Sequence, residues 1–179
     1  MIEITTYMIY KNYKDNTEQL IRVDELINYK EVIPKLSSIY NQYCIEIKFC
    51  NKSLTPLMVK TIEPWISYVS LIKDYLTLGY AEIQDLTKPI KMSFYKDNNQ
   101  LFTYKIKELY DPFNEHEFYF PEKLFFECLV EALNHYLESM EQYDAQYTES
   151  WLKRFSSDLQ LIQNNIQVKK PFMQQIQSV

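Results

Sequence analysis

Two histidines and three cysteines are the side chains of this 179-residue chain best suited to metal binding or nucleophilic chemistry. His135 follows Glu131 by four residues and precedes Glu138 by three, so on a helix all three share a face. A carboxylate–histidine set of this kind could hold a metal ion or move protons. A carboxylate-bridged di-iron bundle needs Glu-x-x-His from two helices and glutamates from two more. Here the spacing is Glu-x-x-x-His and it occurs once. The plainer reading is a solvated helix face with i,i+4 pairing. Glu115-His116-Glu117 is a second candidate, in what reads as a polar connection, and loops often carry function. A two-histidine metal site would need His116 and His135 to meet; the plainer reading is a solvent-exposed loop. Cys128 sits among Phe125, Leu129, Ala132 and Leu133 at helical spacing, which would bury the thiol and raise its pKa. Cys44 and Cys50 are six residues apart on a predicted strand, on one face but too distant to bond. Three reduced, mostly buried thiols are expected, with no catalytic residue, metal or cofactor assigned.

The fourth candidate is a surface. Asp111, Glu115, Glu117 and Glu122 crowd one short segment, interleaved with Tyr110, Phe113, Phe118 and Tyr119. Carboxylates steer a basic partner and buried aromatics anchor it. Asp111, Glu115, Glu117, Tyr119 and Glu122 are therefore the expected partner-binding residues. The competing reading turns the aromatics into the core and leaves the acids in water.

Composition narrows the function classes. A single glycine, Gly79, rules out a P-loop, a dinucleotide-binding turn and a Gly-x-Ser-x-Gly elbow, each of which needs repeated glycines. Gly, Ala and Arg are scarce together while Ile, Lys, Asn, Tyr and Phe abound, a bias that AT-rich coding produces by itself. Hydrophobic residues make up 46% and aromatics 16%, far too apolar for a disordered chain. The net charge is −5, and only Arg22 and Arg154 are arginine. Arginine is the preferred fork for phosphates and base edges, so nucleic-acid binding is not expected. No apolar run is long enough to span a membrane, and the first residues lack a signal-peptide pattern, which makes a cytoplasmic protein the expectation.

These residues must be positioned by elements whose patterns are readable. Residues 2–10 are β-branched and aromatic, a strand; 11–16 are a polar turn. Within 19–32, Leu20, Val23, Leu26 and Ile27 suit a helix, although the segment is ambiguous. Leu36, Ile39 and Tyr40 indicate a short helix after Pro34, ending near Tyr43. Residues 44–50 alternate Ile45, Ile47 and Phe49 with Glu46 and Lys48, a half-buried strand. A turn at 51–53 leads into 54–62, which can pair back as a hairpin. Pro64 opens a helix with Trp65, Tyr68, Val69, Ile72 and Leu76 inward, and Gly79 ends it in the left-handed conformation, with Tyr80 packing on Tyr75. Residues 90–96 and 100–107 are strands around an Asp97-Asn98-Asn99 turn, and 108–117 are a polar connection. Pro121 starts a helix with the inner stripe Phe125, Leu129, Leu133, Tyr136, Leu137 and Met140. Trp151, Phe155, Leu159, Ile162 and Ile166 mark a last helix, which either follows a break at 144–148 or continues the one before. The expected fold is α+β, a mostly antiparallel sheet with helices packed on one face and two long C-terminal helices. Residues 1–167 form one domain in this reading, and 168–179 a polar tail.

The run Ile62-Glu-Pro-Trp-Ile-Ser-Tyr-Val-Ser-Leu-Ile-Lys-Asp-Tyr-Leu, the hairpin pattern at 90–107, and Leu124-Phe-Phe-Glu-Cys-Leu-Val-Glu-Ala-Leu-Asn-His-Tyr-Leu-Glu-Ser-Met together resemble the layout of small bacterial immunity proteins. Such proteins neutralise polymorphic or contact-dependent toxins. The resemblance rests on helix and strand patterns and carries over no catalytic residues. It implies a cytoplasmic, non-enzymatic protein that occludes a toxin in a stoichiometric complex, with carboxylates facing a basic toxin domain. Two other readings stand beside it: a structural or adaptor protein of a low-GC bacterium or phage that self-associates through an aromatic face, and a metal-dependent or acid/base hydrolase using His116, His135 and nearby glutamates.

Overall fold

The computed structural model describes residues 1–12, 16–30, 42–50, 52–54, 63–85, 89–111 and 114–166. In chain order these form β1 (Ile2–Asn12), β2 (Thr17–Arg22), a 3₁₀ helix (Val23–Tyr29), β3 (Gln42–Phe49), β4 (Lys52–Ser53), α1 (Pro64–Leu78), β5 (Ala81–Gln84), β6 (Ile90–Lys96), β7 (Phe102–Glu108), β8 (Glu115–Phe120), α2 (Glu122–Tyr143) and α3 (Ala145–Asn165). The fold is α+β. Its strands pair antiparallel in two four-stranded sheets, ordered β2-β1-β3-β4 and β5-β6-β7-β8.

Helices α1 and α2 tie the two sheets together. Trp65 of α1 donates its indole N–H to Thr6 of β1 at 3.1 Å, a buried polar contact on the first sheet. Four residues from the Trp65–Thr6 anchor, Val69 is buried, and α1 also packs on β5 and β6. From α2, Phe125 and Phe126 stand 5.7 and 5.9 Å from Phe94 of β6. The same helix packs on β1. Phe49 at the end of β3 meets Phe120 at the end of β8 at 5.6 Å. Buried apolar side chains from both sheets and all three α-helices thus make one continuous cluster. Burial of this aromatic surface drives the assembly, and the edge-to-face geometries suit ring quadrupoles.

The helical patterns of α1, α2 and α3 appear where periodicity places them. Pro64 occupies the first turn of α1, and Gly79 caps its end at φ 72°, donating its N–H to Tyr75 at 2.8 Å. Tyr80 does not serve as the accompanying apolar contact. Its hydroxyl goes to Glu82, while the Tyr75 ring packs on Phe102 and Phe126. Every residue of the expected α2 stripe is buried. Between α2 and α3 there is a break: Asp144 leaves the helical conformation, and its carboxylate accepts the Tyr147 N–H at 3.0 Å as an N-cap.

Several segments differ from expectation. Strand β1 runs on to Asn12, and Lys52–Ser53, expected in a turn, form β4 paired with β3. The helix suited to 19–32 is β2 followed by the 3₁₀ helix; Leu20 and Ile27 are 40% and 44% exposed, and Ile21 is buried instead. Pairing with β1 sets a period of two there, with Ile21 opposite Met8. Strand β3 starts at Gln42, so Tyr43 is a strand residue, and Cys44 and Glu46 are buried along with Ile45 and Ile47. Glu46 is held there by the Tyr7 hydroxyl at 3.2 Å and the Lys48 ammonium at 3.0 Å. Cys50 lies beyond the strand in a turn, exposed, at φ 50°. Finally, residues 115–117 belong to strand β8, not to a polar connection. The short helix over 36–40, the return strand beyond Leu54, the turn at 13–15, Phe113 and the tail from 168 lie outside the described residues.

Candidate functional site

The second sheet has two unlike faces because successive strand side chains alternate. Its inner face carries Phe94, Phe102, Tyr104, Ile106 and Phe120 against the helices. The outer face is polar and aromatic, and the strand register arranges it in rows. Tyr95, Thr103 and Tyr119 form one row; Tyr80, just before β5, falls in line because Ala81 faces Phe94. Glu82, Ser93, Lys105 and Glu117 form the next, and Gln84, Lys91, Lys107 and Glu115 the last. A shallow groove of about 440 Å³ runs over this face, lined among others by Tyr80, Tyr95, Lys91 and Lys105.

Charges on the face neutralise one another. Lys105 bridges Glu115 and Glu117, at 2.5 and 3.1 Å; Lys107 pairs with Glu115 at 3.4 Å and Lys91 with Glu82 at 2.7 Å. The Lys105 ammonium holds both Glu115 and Glu117 below the usual carboxylate range, and Lys91 does the same for Glu82. The hydrogen bond that Lys105 donates to Glu115 is the main cause that raises the lysine in return. Each tyrosine donates its hydroxyl to a carboxylate: Tyr80 to Glu82 at 2.7 Å, Tyr95 and Tyr119 to Glu117 at 3.0 and 3.1 Å. Desolvation first, then the Glu117 hydrogen bond, pushes the Tyr95 phenol up to about 12. Thr103, between Tyr95 and Tyr119, is fully buried although it points outward.

Of the expected partner-binding residues, Glu115, Glu117 and Tyr119 therefore share one exposed face of β8. Asp111 sits in the turn between β7 and β8, where its carbonyl accepts the Asn114 N–H at 3.0 Å. Glu122 belongs elsewhere: at the start of α2 it accepts from the Tyr75 hydroxyl at 2.9 Å and pairs with Lys96 at 2.9 Å. Of the interleaved aromatics, Phe118 turns inward toward Tyr104, whereas Tyr110 is 87% exposed. Lys91, Tyr95, Lys105 and Lys107 are among the members of the face that the acidic cluster did not point to. Their signal was the odd-numbered alternation within 90–96 and 100–107.

The two histidines have separate surroundings. Strand alternation puts His116 on the opposite face from Glu115 and Glu117; it contacts Asn114 at 2.8 Å and stacks on Phe118. His135 lies 3.5 Å from Asp24 of the 3₁₀ helix rather than against Glu131 or Glu138. Arg22 is the main influence that lowers the Asp24 pKa, with His135 contributing less. Among the described residues, no group of three His, Cys, Asp or Glu side chains is placed to hold a metal ion. Cys128 is half-buried on α2, its thiol pushed up by burial first and then by Glu131 and Glu127. No described helix is long and apolar enough to cross a membrane. Comparison with protein families, with curated proteins and with solved structures gives no match for the chain.

Proposed function

We propose that this protein works by binding another protein on the outer face of its second sheet, and that its most concrete form is an immunity protein occluding a cognate toxin. The observation that carries this reading is the row Tyr80, Tyr95 and Tyr119 displayed across a sheet face beside interleaved Lys and Glu. Tyrosine offers a large amphipathic contact at low conformational-entropy cost and is enriched at interface hot spots. These rings are already oriented by their hydroxyl contacts with Glu82 and Glu117, which lowers the cost of ordering them on binding.

The electrostatic part of the reading changes with the geometry. Glu115 and Glu117 face lysines of β7, so the face offers matched charge pairs in place of a naked acidic patch. Matched pairs favour register and specificity over affinity. Long-range attraction to a basic toxin domain then comes from the net charge of −5 as a whole.

The test is co-expression with the products of adjacent genes, followed by calorimetry on any complex recovered. Tyr95→Ala with Tyr119→Ala is expected to weaken that complex by at least about tenfold, or roughly 1.4 kcal/mol. Cells carrying the toxin gene should survive with the parent protein and lose protection with the double variant. A complex whose affinity is indifferent to both substitutions would remove this face from the mechanism.

A further inference from the structure

The same sheet ends in an edge. Strand β8 pairs with β7 on one side and closes the order β5-β6-β7-β8. Antiparallel pairs alternate between hydrogen-bonded and non-hydrogen-bonded positions. The Glu108 N–H donates to the Asn114 carbonyl at 3.0 Å, which sets the phase. Ile106–His116, Tyr104–Phe118 and Phe102–Phe120 are then the bonded pairs. The N–H and C=O groups of Glu115, Glu117 and Tyr119 consequently point away from β7, and they meet no backbone partner among the described residues. Those three residues are exposed. One set of residues thus presents the unpaired backbone of the edge and the side chains of the outer face.

Charge decides what can occupy such an edge. A strand laid against β8 would have Glu115 and Glu117 as its direct neighbours, about 5 Å away between Cβ atoms. Lys105 and Lys107 would stand one strand farther, at about 10 Å. A second copy of β8 brings like charges together, which disfavours self-pairing. A strand with basic residues at alternate positions continues the alternation already built from β7 to β8. Its intervening side chains would lie beside His116 and Phe118.

We infer that the outer edge of β8, which pairs with no further strand among the described residues, accepts an extended, basic strand from the protein partner, paired antiparallel through Glu115, Glu117 and Tyr119. This rests on the partner-binding reading of the face and adds the form of the partner's contact. The mode is strand addition, in which backbone bonds give affinity and alternate side chains give selectivity.

The test uses the full chain and a short capped peptide of alternating lysine and threonine. Peptide binding should protect the Glu115, Glu117 and Tyr119 amides from hydrogen exchange, while a glutamate–threonine peptide should leave them unprotected. Glu117→Pro removes an outward N–H that has no backbone partner, so β7 pairing persists; it should lower peptide affinity at least tenfold. Should that variant fail to fold, Glu115→Lys with Glu117→Lys supplies the second arm and should reverse the preference toward the acidic peptide. Binding without protection of those amides, equal binding by Glu117→Pro, or no lysine-peptide binding up to about 1 mM would each overturn strand addition. The face itself is judged separately by Tyr95→Ala and Tyr119→Ala, which leave the edge backbone intact.

Discussion

Lys105 is the residue on which the outer face turns. Its ammonium is shared between Glu115 and Glu117, and it is the first cause of the lowered pKa of each. Groups with depressed folded-state pKa stabilise the fold above the unfolded carboxylate value, and that contribution is lost as pH falls through the folded value. Lys105→Met should therefore move the Glu115 and Glu117 titrations upward toward the ordinary range, readable by NMR of the side-chain carboxyls. It should also flatten the loss of stability below about pH 4.5, where unfolded glutamate titrates. Because these groups are solvent-exposed ion pairs, the effect at neutral pH should be small. The carboxylates were legible in the sequence as an acidic cluster. Their neutralisation was not, because Lys105 and Lys107 come from a neighbouring strand whose register only pairing defines.

Elements divide by how local their causes are. Helices α1, α2 and α3 follow from apolar residues at helical spacing, and Pro64 and Gly79 bound α1 by backbone preference alone. Strand β8 escaped the same reading because Glu115-His116-Glu117 has weak strand propensity by itself. It becomes a strand through partners on β7, where Lys105 stands opposite Glu117 and Lys107 opposite Glu115. The glycine shortage also acts at this scale. Asn16, Cys50 and Gln100 hold positive φ without being glycine, and at the β6–β7 hairpin the left-handed residue is Gln100 rather than an asparagine of the turn. There Asp97 caps the loop with its side chain, accepting the N–H of Asn99 and Leu101 at 2.9 and 2.8 Å. Gly79→Ala should cost about 1 kcal/mol and Gln100→Gly should gain a comparable amount, about 1 kcal/mol, both read from denaturant melts. A Cβ at Gly79 meets no atom within 4 Å, so the cost there is conformational rather than steric. Equal stability of Gly79→Ala and the parent would refute that assignment.

The whole molecule is organised around buried tyrosines as much as around phenylalanines. Tyr68 of α1 and Tyr104 of β7 join hydroxyls at 2.8 Å inside the cluster that links helices to the second sheet. Tyr136 and Tyr147 do the same at 3.2 Å between α2 and α3, and Glu63 accepts from Tyr147. Burial pushes the Tyr68 phenol up to about 12 and raises Tyr104, Tyr136 and Tyr147 as well. A raised folded-state value means stability is full below the unfolded phenol value of about 10 and falls as pH rises toward the folded one. Phenolate absorbance should thus show these buried tyrosines ionising only above about pH 10, together with cooperative loss of near-UV circular dichroism. A single smooth titration with the fold intact would contradict this core.

By itself the sequence determined the fold class, the inner faces of the three α-helices, the inward Ile45 and Ile47 of β3, and the exclusion of glycine-built nucleotide motifs. All of these follow from local periodicity or from the backbone limits of particular residues. Tertiary structure alone decided that the strands divide into two sheets, that His116 turns away from its flanking glutamates, and that Glu122 leaves the acidic cluster for Tyr75 and Lys96. It also decided that Tyr80, Tyr95 and Tyr119, spread over 40 positions, line up in one row on the outer face of the second sheet. Register between strands is a long-range property, set by which apolar faces bury together, and one residue of slip would turn that row into the core.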